Sequence, residues 1–135
     1  MGTSAGGHLA IALAAHLLAV GREAPPLALC SPGVDMAGTY DFPQQGTSDF
    51  VVTSRRKISR PAIMRWYTPD APQLPLFSPT LSAKGTWAAY GAPVLVSVGT
   101  AETGALAIQA FVRRLREDGV EVDVYAVGSF TAWEC

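Results

Sequence analysis

The chain has 135 residues, 49% of them hydrophobic and 16% charged, with a formal net charge of −1 at pH 7. That much apolar material suits one domain with a real core and excludes an intrinsically disordered chain. A charge so near zero offers no footprint for nucleic acid, and two cysteines far apart, Cys30 and Cys135, suggest free or buried thiols rather than a disulfide framework.

In chain order, Gly2-Thr3-Ser4-Ala5-Gly6 comes first. It fits G-x-S-x-G, a strained turn between a strand and a helix that lifts a serine hydroxyl out as a nucleophile. The spacing has a steric rationale. Ser4 must take a backbone conformation that is costly for a residue with a side chain, and a Cβ at Gly2 or Gly6 is expected to strike neighbouring backbone where the chain reverses.

The apolar run that follows predicts a helix from about Ala5 to Val20, capped at Gly21. Apolar on nearly every side, it expects cover all round. His8 and His16 are not at the i, i+4 spacing of a metal pair and read as packed or partly exposed helix histidines. The run from Leu9 to Val20 is too short to span a bilayer and lacks a preceding basic segment. Met1-Gly2 is not followed by the Ser or Thr that myristoylation requires at position six, where Gly6 stands. No membrane anchor is expected, and the cytoplasm is the expected compartment.

Pro25-Pro26 ends the helical region, and Leu27 to Ser31 reads as a short strand buried in a parallel sheet covered on both faces. Residues 38–90 are irregular and proline-rich, the composition of a lid or substrate-shaping insertion. The basic cluster Arg55-Arg56-Lys57 with Arg60 reads as a solvated face, and Ile58, Ile63, Met64, Trp66 and Tyr67 as the apolar face of a short helix. Pro93 to Val98 is a β-branched run launched by proline, hence a buried parallel strand. Just past its carboxyl end, where α/β sheets gather their chemistry, lies Glu102.

An amphipathic helix is expected from Thr103 to Asp118, with Leu106, Ala110, Phe111 and Leu115 inward and Arg113, Arg114, Arg116, Glu117 and Asp118 outward. Val120, Val122 and Val124 then alternate with polar or amphipathic residues from Val120 to Tyr125, a half-buried edge strand completing a right-handed crossover.

Four blocks carry a family resemblance. Gly2-Thr3-Ser4-Ala5-Gly6-Gly7-His8-Leu9-Ala10 resembles G-[DT]-S-A-G-G-[HN]-L-A. Ser31-Pro32-Gly33-Val34-Asp35 resembles S-P-x-x-D. Leu74-Pro75-Leu76-Phe77-Ser78-Pro79 resembles D-P-L-x-S-P in part. Pro93 to Glu102 resembles P-P-x-L-[IV]-x-x-G-[ST]-x-E/D. Together they resemble the hormone-sensitive-lipase-like branch of the α/β-hydrolases, a family of carboxylesterases, lipases and deacetylases.

The resemblance implies an incomplete α/β-hydrolase fold, about three parallel strands with flanking helices, in which residues 1–135 are the carboxyl-terminal part of a domain whose amino-terminal half is absent. It implies ester hydrolysis of a small-molecule carboxylic ester through a serine acyl-enzyme, with Ser4 as nucleophile, Glu102 as triad acid and the Ala5 N–H in the oxyanion hole. Asp35 falls at a structural or pocket-edge position. No cofactor or metal is implied. Two family elements are missing from the sequence: Phe130 stands where the triad histidine is expected, no histidine follows His16, and no H-G-G-G loop precedes the serine. The alternative is therefore a catalytically inactive remnant or interaction module. A truncated gene model and poor solubility are also expected.

Overall fold

A computed structural model describes residues 1–40 and 74–128. The basic cluster at 55–60, the apolar set from Ile58 to Tyr67, Phe130 and Cys135 lie outside the described residues. The elements are β1 (Gly2–Thr3), α1 (Ala5–Ala19), β2 (Leu27–Cys30), β3 (Val94–Gly99), α2 (Ala105–Glu117) and β4 (Val122–Val127), with a short 3-10 turn at Pro79–Leu81.

The strands form one parallel sheet in the order β1-β2-β3-β4. Gly2 and Thr3 pair with Leu29 and Cys30, so the residues ahead of Ser4 supply a fourth strand, beyond the three expected from apolar runs. Two residues are too few to show a hydrophobic pattern, and only pairing with β2 reveals them as a strand. Leu27 registers with Val94, and Val94 with Val122, which aligns the alternating aliphatic residues on one face. The last strand starts at Val122, later than Val120, because the chain first completes the cap of α2.

Both helices end in the same hydrogen-bond pattern. At α1 the Gly21 N–H donates to Leu18 O and the Arg22 N–H to Leu17 O. At α2 the Gly119 N–H donates to Arg116 O and the Val120 N–H to Leu115 O. These are paired 5→2 and 6→1 bonds that satisfy the last carbonyls of a helix, and each needs a left-handed residue, here Gly21 and Gly119.

The core is one cluster. Ile11 and Ala14 of α1, Leu27 and Leu29 of β2, Val94, Val96 and Val98 of β3, and Ile108, Phe111 and Leu115 of α2 all belong to it. Successive strand residues point to opposite faces, so the helices cover the face carrying these side chains. The other face is open among the described residues: Leu95 is 49% exposed and Tyr125 66%. Among the described residues α1 buries Gly7, Ile11 and Ala14 and leaves Leu9 68% exposed and Leu13 56% exposed.

Residues 74–90, read from composition as part of a lid, supply core. Trp87 is buried with its ring edge-on to Phe111 at 5.8 Å and to Tyr90 at 6.4 Å. Its Nε1–H donates to Ser82 Oγ at 3.1 Å, and the Tyr90 hydroxyl donates to Pro25 O at 2.8 Å. Large aromatic rings with their polar ends satisfied suit the interior. Irregular backbone hid this role, because such a segment packs without periodicity.

Helix α2 follows its amphipathic pattern with three exceptions, one being Arg114, expected outward but with its side chain only 17% exposed. Leu106 is 39% exposed, not inward. Asp118 turns inward, its side chain only 1% exposed. Its Oδ1 accepts from the Gly85 N–H at 2.8 Å and from Arg114 Nη2 at 2.8 Å, and its Oδ2 accepts from the Trp87 N–H at 3.0 Å. A carboxylate leaves water when enough donors replace its hydration. Two of those donors, the Gly85 and Trp87 amides, come from a loop 31 to 33 residues away in sequence, which periodicity along α2 does not register. Among the described residues no helix is long and apolar enough to cross a membrane.

Candidate active site

Ser4 occupies the junction between β1 and α1 with φ 50° and ψ −117°, a left-sided conformation rare for a residue with a Cβ. Its N–H donates to Cys30 O at 3.0 Å. Its carbonyl accepts from the His8 N–H at 3.1 Å and from the Gly33 N–H at 3.0 Å. The sharp bend is therefore held from the strand side and from the helix side, and the side chain sits on an exposed residue.

The surrounding glycines divide differently from the motif. A Cβ on Gly2 would overlap the Gly6 carbonyl oxygen and lie 2.7 Å from Gly7 N. A Cβ on Gly6 would meet nothing within 4 Å among the described residues, whereas one on Gly7 would lie 2.9 Å from the Pro32 Cβ. The expected collision at Gly6 is thus corrected: the second position needing a bare Cα is Gly7, because the loop after β2 packs there. Gly6 serves as the atoms struck, not the residue excluded.

That loop is strained in its own right. Ser31 has φ 43° although it carries a side chain and precedes proline, a position normally driven to extended backbone. Its N–H donates to Ser97 O at 2.8 Å. The bend sets Pro32 over Gly7 and aims the Gly33 N–H at Ser4 O.

Glu102 lies three residues beyond the end of β3, half-buried, and its Oε1 accepts from the Gly99 N–H at 3.1 Å. Because β1, β2 and β3 are parallel neighbours, Ser4 and Glu102 leave the sheet at the same carboxyl edge with one strand between them. Two strand spacings amount to about 10 Å. At the end of β4 the Thr100 N–H donates to Val127 O at 2.9 Å, so the last strand also exits beside the Glu102 loop. Ala5 begins α1, and its N–H belongs to the same peptide as the doubly bonded Ser4 carbonyl.

Asp35 is buried. Its Oδ2 accepts from the Tyr40 N–H at 2.8 Å, which closes a turn after β2. The same turn is pinned by Ser78 Oγ, which accepts from the N–H groups of Met36 and Ala37, each at 2.9 Å. His16 is exposed on α1, while His8 stacks on Phe77 with ring centroids 6.2 Å apart. Among the described residues there is no group of three side chains able to hold a metal ion.

A family model described as alpha/beta hydrolase fold matches residues 1–129. The chain belongs to the alpha/beta hydrolase fold family. No curated protein is similar to it at a significant level. Among solved structures, carboxyl esterase 2 from the mycorrhizal fungus Tuber melanosporum is similar with a TM-score of 0.69 and 18% identity, over 93% of this chain and 42% of that one. A double mutant of the esterase E40 is 28% identical with a TM-score of 0.65, over 91% of this chain and 40% of that one. A hormone-sensitive lipase from a metagenome library is 22% identical with a TM-score of 0.71, over 91% and 41% respectively. This hydrolase-family chain therefore spans about two-fifths of the length of the structures it resembles.

Reading the motifs alone misses Gly7, Ser31 and Gly33 as parts of the elbow's support. The only local signal is Ser31-Pro32-Gly33 itself, a turn sequence. Nothing in it indicates that the turn seats against residues 4–8.

Proposed function

We propose that this chain is the carboxyl-terminal portion of a serine carboxylesterase of the hormone-sensitive-lipase-like branch, and that its chemistry is hydrolysis of a small-molecule carboxylic ester. The observation that carries the reading is the Ser4 turn: a serine at φ 50°, at the carboxyl end of a parallel strand, opening a helix. Structural strain of this kind is kept where a fold needs it. Ser4 attacks the ester carbonyl, the Ala5 N–H donates to the oxyanion, and Glu102 holds an imidazole in its working tautomer and stabilises the imidazolium. The proposal requires no metal or cofactor.

A histidine opposite Glu102 and a second oxyanion donor complete such a site, and the sequence holds its two histidines at positions 8 and 16. This favours a second reading for the 135-residue polypeptide by itself, a non-catalytic remnant or interaction module. The two readings separate by experiment. The polypeptide alone is expected to hydrolyse a short-chain nitrophenyl ester no faster than its Ser4→Ala variant. A longer translation product that includes an in-frame upstream H-G-G-G and a downstream histidine is expected to show a rate that Ser4→Ala abolishes. Equal rates for wild type and Ser4→Ala in that longer product would sink the esterase reading.

The strain at Ser4 gives a companion test. Ser4→Gly removes the Cβ from an unfavourable conformation and is expected to raise stability by about 1 kcal/mol, partly offset by the freer unfolded chain. Urea denaturation of the two variants measures it, with a gain in midpoint accompanying the loss of the nucleophile.

A further inference from the structure

We propose that His8 is a positioning residue for the oxyanion donor, acting through the loop after β2 rather than on substrate; the proposal rests on the role given above to Ser4 and Ala5. The chain of contacts is short. The His8 Nδ1–H donates to Gly33 O at 3.0 Å. The N–H of Gly33 donates to Ser4 O at 3.0 Å, and the N–H of His8 donates to the same oxygen at 3.1 Å. The Ser4 carbonyl and the Ala5 N–H are two ends of one planar trans peptide, so they point in opposite directions. Two donors fixed on the carbonyl therefore fix the direction of the Ala5 N–H on the far side.

A backbone donor works in an oxyanion hole only when it is already aimed before charge develops. Here one of the two donors that aim it comes from a loop under strain, with Ser31 at φ 43°. The Gly33 N–H is placed by that bend, and relaxation of the strain at Ser31 would withdraw it. The imidazole counters that by holding Gly33 from its carbonyl side while Pro32 sits against Gly7. Its other face stacks on Phe77, which keeps the ring from turning away. The contact also requires a proton on Nδ1, because a carbonyl only accepts.

The test uses NMR on the full 135-residue chain and does not depend on turnover. In wild type the imidazole nitrogens are expected to show the Nδ1–H tautomer. His8→Leu is expected to speed hydrogen exchange at the Gly33 amide by about tenfold or more and to move the Ala5 amide resonance, with α2 and β3 amides unchanged. His8→Asn, whose side-chain N–H occupies the place of Nδ1–H, is expected to restore both. An unprotonated Nδ1, an Ala5 resonance unmoved by His8→Leu, or a failure of His8→Asn to restore Gly33 protection would each overturn the proposal. Should His8→Leu not fold, the tautomer and the asparagine variant decide. Absence of Ser4-dependent hydrolysis in the longer product would remove the esterase reading and leave these exchange results standing, so the two failures are distinguishable.

Discussion

Asp118→Ala is expected to lower the unfolding free energy by about 3 kcal/mol, a large part of the ~5–15 kcal/mol that holds a typical folded protein together. The substitution deletes the acceptor of three hydrogen bonds, from the Gly85 and Trp87 amides and from Arg114. The two amides are left without their partner, and the Trp87 ring that they position loses its fixed place against Phe111. Arg114 retains Glu117 at 3.2 Å, which moderates the loss. Urea denaturation checks the magnitude, and Asp118→Asn is expected to fall between the two because an amide oxygen accepts while its NH2 opposes the remaining donors.

The same carboxylate gives the chain an acid-sensitive component. Burial raises the Asp118 pKa, but hydrogen bonds from the Trp87 and Gly85 N–H groups and from Arg114, together with the guanidinium charge, outweigh it and hold the carboxyl below its ordinary value. A carboxyl depressed in the folded state contributes stability above its unfolded-state value, and this contribution disappears as pH falls through the folded-state value. Stability of wild type is therefore expected to decline at the acid end of the carboxylate range, with a shallower decline in Asp118→Ala. Parallel pH profiles for the two proteins would count against this role.

Gly2→Ala is the second large effect, with a loss of about 3 kcal/mol and the loss of the Ser4 turn. The added methyl would overlap the Gly6 carbonyl oxygen and approach Gly7 N at 2.7 Å. These are backbone atoms of the first turn of α1, which cannot swing aside as a flexible side chain can. Gly6→Ala is the control. Its Cβ meets nothing within 4 Å among the described residues, and alanine in a helix is favoured over glycine by about 0.5–1 kcal/mol. A thermal melt should thus separate two substitutions that the motif G-x-S-x-G treats alike. Equal destabilisation by both would mean that the close approach is not at Gly2.

Residues 34–40 and 74–82 show how segments lacking periodicity still become ordered. Ser78 Oγ accepts the Met36 and Ala37 amides, and Thr80 donates through both its N–H and Oγ1 to Val34 O, at 3.3 and 3.2 Å. One segment thereby satisfies the backbone of the other. The turn that holds Asp35 sits on that scaffold, which accounts for its burial.

The sequence by itself determined the local order of this protein: a strained serine turn before an apolar helix, aliphatic runs that become parallel strands, an amphipathic helix closing on glycine, and an acid just past Val94–Gly99. Each of those is written in neighbours a few residues apart, where steric limits and hydrophobic spacing act. Only the tertiary structure decided that Gly2–Thr3 is a strand, that Gly7 and not Gly6 must lack a side chain, that Trp87 and Tyr90 are core, and that Asp118 faces inward. Those outcomes depend on contacts between segments more than 20 residues apart, as His8 and Gly33 are, and no local pattern encodes which distant backbone amide a side chain will meet.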